Sequence, residues 1–96
     1  MCFDGKVREY EANIISAIGK HDIKIMQDVY KVEDTEKRLG IIKGFRDILN
    51  TIYKAFSNAG KEFSGVTTFC ERTDYYWSFR ERCITGEFNY MLPSIS

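Results

Sequence analysis

The stretch VTTFCERTDYYWSFRERCITGEFNYML, residues 66–92, decides the fold. It is rich in Thr, Val, Tyr, Phe, Trp and Cys, residue types that fit a pleated, half-buried surface. Two polar breaks, Thr73-Asp74 and Thr85-Gly86, divide it into runs at 66–72, 75–84 and 87–92, and each break is short enough for a hairpin turn. With two-residue turns, Arg72 faces Tyr75 and Ile84 faces Glu87. One face of the sheet then carries Val66, Cys70, Tyr75, Trp77, Phe79, Cys83, Phe88, Tyr90 and Leu92, with Glu81 its one charged residue. The other face sets Phe69, Tyr76, Ile84 and Met91 among Arg80, Arg82 and shorter polar side chains. A one-residue slip would destroy this sorting, so the register predicts a three-stranded antiparallel meander. A rival reading makes 69–84 a helix. Thr68-Phe69-Cys70-Glu71 fits a capping box, and Phe69, Thr73, Tyr76, Trp77, Arg80 and Ile84 would then share the inner stripe.

Upstream of this stretch the periodicity is helical. Phe3, Val7, Tyr10, Ile14, Ile18, Ile25, Val29 and Val32 recur on one stripe, with Lys6, Glu9, Asn13, Lys20, Lys24 and Lys31 opposite. The phase holds across Gly19, which predicts one long helix over about 5–32. The competing reading ends a helix at Gly19 and starts the next at Asp22. Glu33-Asp34-Thr35 is a turn signal, and Asp34 or Thr35 can cap a second helix. Ile41, Ile42, Phe45, Ile48, Leu49, Ile52, Tyr53 and Phe56 give that helix its apolar arc over about 35–58, and Asn58-Ala59-Gly60 is its stop. A short connection between two long helices implies an antiparallel hairpin. The expected architecture is therefore α+β: a long helical hairpin followed by the meander, with an all-α bundle as the alternative. The chain of 96 residues reads as a single domain, with no internal boundary or repeat. A first helix of that length would overhang the sheet, and a second copy could cover it, which predicts a homodimer.

Composition narrows the function classes. Fourteen Lys and Arg balance fourteen Asp and Glu, which argues against a strong polyanion binder. No apolar run approaches a membrane span, and the N-terminal sequence has no signal-peptide pattern. Three cysteines, Cys2, Cys70 and Cys83, have no paired spacing, which suits a reducing compartment; the expected location is cytoplasmic or host cytosol. Cys70 and Cys83 would lie about 20 Å apart in the meander, too far to share a metal or a disulfide. His21 is the only histidine and falls on the apolar stripe of the first helix. It reads as a packed or interface residue, with a pH-sensing role as the alternative. Glu11 sits near the same stripe but about 15 Å away, so the two are no catalytic pair. Gly40-x-x-x-Gly44 lacks the Gly-Lys-Ser/Thr of a phosphate loop and reads as a small-residue patch for close helix approach. No catalytic residue, metal ligand or cofactor site is expected.

What remains is surface chemistry. The outer sheet face offers Phe69, Tyr76, Arg80, Arg82 and Met91 as partner-binding residues, because aromatics, Met and Arg are enriched at interface cores. The second helix carries a mild basic excess, and Lys43, Arg46 and Lys54 on its polar side are candidate contacts for a nucleic-acid backbone. The expected function is a non-enzymatic protein-binding regulator or inhibitor, of the kind that mobile-element or viral accessory proteins supply. The alternatives are a nucleic-acid-binding regulator or a small-ligand-binding oligomer with sites between subunits.

Overall fold

Three helices make up the computed structural model, which describes residues 2–86, with side chains from residue 5 onward. Helix α1 spans Cys2–Lys31, α2 spans Thr35–Ser57 and α3 spans Ser64–Thr85, with a 3-10 turn, Lys61–Phe63, leading into α3. The α1 helix runs unbroken through Gly19. Asp34 caps α2, its Oδ1 accepting from the Glu36 N–H at 3.1 Å, and its carbonyl accepts the first helical bond, from Arg38 N at 3.0 Å. The Asn58-Ala59-Gly60 stop ends α2 at a cap on Asn58, and Gly60 takes a φ of 128°.

The α+β expectation fails in the last third of the chain. Residues 66–72 and 75–84, read as strands, belong to one continuous helix, and the described residues contain no strand. The third expected strand, 87–92, lies outside the described residues. The reason is visible in the packing. Val66, Cys70, Thr73 and Trp77 are the buried residues of α3, a spacing of four, three and four that one helical stripe satisfies and strand alternation does not. Both hairpin turns dissolve accordingly. Thr73 is buried in the core face of α3, and Asp74 turns its carboxylate to Arg46 of α2. Thr85-Gly86 is a helix end: Gly86 sits at φ 84° in the left-handed region and donates to the Arg82 and Cys83 carbonyls. A left-handed glycine after the last turn is a common helix terminator. The capping box at Thr68 is not used, because α3 starts at Ser64. The rival inner stripe is right at Thr73 and Trp77, which are buried, and at Phe69 and Ile84, which pack against the core. Tyr76 stays on the surface.

The helices run up, down and up. The connection from α1 to α2 is three residues long, and His21 of α1 meets Phe45 of α2 at a tilt, with ring centroids 5.1 Å apart. Glu11 meets Val66 and Asp22 meets Trp77, both 55 residues apart in sequence. A constant offset means that α1 and α3 run parallel. Each helix gives three residues to the core: Ile18, Ile25 and Val29; Ile42, Phe45 and Leu49; Val66, Cys70 and Trp77. The bundle is elongated, 55 × 25 × 21 Å. Because Glu11 is already level with the start of α3, only the first turns of α1 stand beyond it. The overhang that argued for a second copy is shortened, since α3, with 22 residues to the 30 of α1, replaces the short sheet.

Polar residues fix how α3 sits. Its N-cap position, Phe63, offers no side-chain acceptor. The Val66 N–H instead donates to Glu11 Oε2 of α1 at 3.0 Å. This carboxylate at the positive end of α3 does the work of a missing local cap. Gly65 leaves it room: a Cβ there would stand 2.6 Å from Glu11 Oε2. Glu11, which the sequence placed merely near the apolar stripe, thus ties two helices together.

Candidate functional site

Trp77 organises the surface between α1 and α3. It is 1% exposed, meets Phe45 edge-on at 6.4 Å, and donates its Nε1–H to Asp22 Oδ1 of α1 at 2.5 Å. Tyr76 packs edge-on against Trp77 at 5.2 Å while staying 40% exposed. Arg80, one turn on, is half-buried; its Nη2 donates to the Tyr30 hydroxyl of α1 at 3.1 Å, and its guanidinium carbon lies 5.8 Å from the Tyr30 ring centroid. Tyr30 is 60% exposed, Ile23 58% and Phe79 45%. Ile23 and Tyr30 are seven residues apart, so they share a line along α1. Tyr76, Phe79 and Arg80 share the adjoining edge of α3. Helix α3 thus places Tyr76 and Arg80 together on an exposed aromatic flank, reached by a different geometry from the sheet.

The other expected partner-binding residues are not gathered there. Phe69 is half-buried and packed on the core, with its ring facing the Gly19 backbone: the ring Cζ is 3.9 Å from where a Gly19 Cβ would stand. Arg82 is exposed on a different side of α3, its Nη2 3.4 Å from Ser78 Oγ. Met91 lies outside the described residues. Tyr30 and Ile23 were missed because they lie off the main stripe of the first helix. Their seven-residue spacing was the available signal, a second short apolar line beside the first.

The candidate nucleic-acid contacts fare differently. Arg46 is not free: its Nε is 2.8 Å from Asp74 Oδ1 and its Nη1 2.5 Å from Glu81 Oε1. These carboxylates hold the guanidinium even more firmly protonated than usual, Asp74 contributing most. Glu81, the one charged residue of the expected apolar sheet face, is instead a partner of Arg46. The groove between α2 and α3 encloses about 380 Å³ and is lined by Lys43, Arg46, Asp47, Asn50, Asp74 and Glu81. Three carboxylates against two cations are a poor surface for a phosphate backbone. Lys43 and Lys54 remain exposed on α2.

Between α1 and α2 lies a second groove, of about 360 Å³, with an apolar lining: Ala17, Ile18, His21, Phe45, Ile48, Leu49 and Ile52. His21 is half-buried there, as a packed residue of the apolar stripe. Cys70 and Cys83 are both free. Thirteen residues along α3 still separate them by about 20 Å, the same distance as in the meander but along one helix axis. Burial pushes the Cys70 thiol pKa up, which makes it a poor nucleophile. Among the described residues no cluster of His, Cys, Asp and Glu is arranged to hold a metal ion, and no helix is long and apolar enough to cross a membrane. No protein-family model matches the chain, and neither curated proteins nor solved structures give a match.

Proposed function

We propose that this chain is a non-enzymatic protein-binding module of the cytoplasm. Its partner docks on the α1–α3 flank through Tyr30, Tyr76, Phe79 and Arg80. The observation that carries this reading is the exposure of large aromatic side chains beside a cation: Tyr30 at 60%, Phe79 at 45% and Tyr76 at 40%, with Arg80 between them. Buried in an interface, each ring would remove a large apolar area from water. Aromatic residues and Arg dominate the energetic centres of protein interfaces. The pairing of Arg80 with Tyr30 holds both in place, which lowers the ordering cost of binding.

The test is site-directed photo-crosslinking in native cells, with benzoylphenylalanine at Phe79 and, as control, at Lys54 on the far side of α2. The reading expects a discrete protein adduct from position 79 that is lost with Tyr30→Ala and is absent from position 54. Adducts that are equal at both positions, or none at 79, would overturn it. An adduct to a second copy of this chain would make the partner a homodimer mate.

A further inference from the structure

We propose that the groove between α1 and α2 is a second docking site, whose occupant is an amphipathic helix of a partner protein with an acidic edge. This goes beyond the α1–α3 flank, because the two surfaces lie on opposite sides of α1. The floor of the groove is apolar, formed by Ile18, Phe45, Leu49 and Ile52, with Ala17, His21 and Ile48 on its walls. Ile48 is 45% exposed, although it adjoins the core residues Phe45 and Leu49. A trough between two antiparallel helices is the shape that accepts the apolar stripe of a third.

The two lips of the groove differ, and the difference selects the occupant. On α1, the residues next round the helix from Ala17 are Lys20 and Lys24, both exposed. Neither makes an ion pair among the described residues. The acid of this segment, Asp22, faces away and holds Trp77. Lys6 and Lys31 extend the same edge in both directions and are exposed too; Glu9 borders it, and the half-buried Asp28, seven residues on from His21, interrupts it between Lys24 and Lys31. On α2, the lip is Gly44, Thr51 and Ala55, with the exposed Lys37 on the same line seven residues before Gly44. A Cβ on Gly44 would meet nothing within 4 Å, so packing inside this chain does not require glycine there. A glycine in mid-helix costs about 1 kcal/mol relative to Ala. Asp47, the nearby acid of α2, lines the groove on the other side, with Lys43 and Arg46. The site therefore has one mainly cationic wall, on α1, and one wall that is low and uncharged from Gly44 to Ala55, over which another backbone can settle closely. A helix with a Leu-type stripe and Asp or Glu along one flank complements both, and a basic helix is repelled.

The experiment uses two synthetic amphipathic helical peptides with the same apolar stripe, one flanked by Glu and its twin by Lys. Each is titrated by fluorescence anisotropy against the full chain. The Glu-flanked peptide is expected to bind at least about tenfold more tightly at low salt, and the gap should narrow as salt screens the lysines. Lys20→Glu with Lys24→Glu, both on the surface, should reverse the order of the twins. Ile48→Gln should weaken the Glu-flanked peptide about tenfold or more while leaving the circular dichroism and thermal midpoint of the protein near those of the parent. Equal affinities, no binding by either peptide, or an order unmoved by the charge reversal would overturn the proposal. Binding lost with Tyr76→Ala but not with Ile48→Gln would put the peptide on the α1–α3 flank and overturn it too. The crosslinking outcome at Phe79 is independent of all these, so either reading can fail alone.

Discussion

The seam between α2 and α3 and the seams that α1 makes with them hold together by different means. Helices α2 and α3 approach most closely along their lengths, with Arg46 clasped by Asp74 and Glu81 over the junction. Helix α1 lies further off and is tied to α3 at intervals by Glu11, Asp22 and Tyr30. Between α1 and α2 the apolar surface stays open as a groove. The hairpin of α2 and α3 is thus the tightly closed part of the bundle, and α1 is the helix with surface to spare. Both candidate docking surfaces lie along α1 because its two flanks are the least covered. A loosely covered helix is where a partner can gain burial without displacing existing contacts.

Trp77→Ala should give the largest effect, because Trp77 joins all three helices through Phe45 and Asp22. Chemical denaturation should show a loss of about 3–5 kcal/mol, with both seams loosened together. A loss below about 1 kcal/mol would mean that α1 does not depend on this residue. Next, Asp22→Ala leaves the Trp77 indole N–H without its acceptor and should cost about 1–3 kcal/mol. Hydrogen exchange should then speed up in α1 more than in α2 or α3; uniform acceleration would erase the contrast between the seams.

Glu11→Ala and Gly65→Ala should each cost about 1 kcal/mol, the worth of a helix cap. The double variant should cost much less than the sum, because a Cβ at position 65 displaces the same carboxylate. Additive losses would show that Glu11 is no cap for α3. Arg46→Leu should cost less again, up to about 1 kcal/mol, because the clasp is about one-third exposed to screening solvent. A loss as large as that of Asp22→Ala would move the weight of the bundle to the α2–α3 clasp.

The smallest effect is a pH dependence. Burial raises the Cys70 thiol above its ordinary pKa of 9.0, so at alkaline pH the native state binds a proton that the unfolded chain releases. The stability that this supplies is complete below about pH 9 and falls as pH rises from there towards the folded pKa. Cys70→Ala should flatten the alkaline slope of stability against pH; an unchanged slope would show that the thiol ionises freely in the native bundle.

The first two helices were legible because their apolar residues repeat with a single period and their ends carry ordinary signals. Asp34 and the Asn58–Gly60 stop serve as the sequence suggests. Helix α3 was not. Its composition favours strands, and the alternation of 66–92 sorts almost as well as a helical stripe does. Aromatics at 75, 77 and 79 invite a period of two, while Val66, Cys70, Thr73 and Trp77 require the helical one. The candidate site was legible in part: Tyr76 and Arg80 do share a surface, but Tyr30, Ile23 and the open groove follow from how α1 is seated. Arg46 looked like a free cation only because Asp74 was placed in a hairpin turn and Glu81 on a strand.

By itself, then, the sequence determined two amphipathic helices and their approximate boundaries, since these depend on neighbours within a few residues. Only the tertiary structure decided that the last segment is a helix. Local preference there is nearly balanced, and the buried stripe of Val66, Cys70 and Trp77 against Phe45 and Ile18 outweighs a weak strand propensity. It also decided which charges are occupied and which aromatics stay in water, because contacts 28 to 55 residues apart have no signature in local pattern.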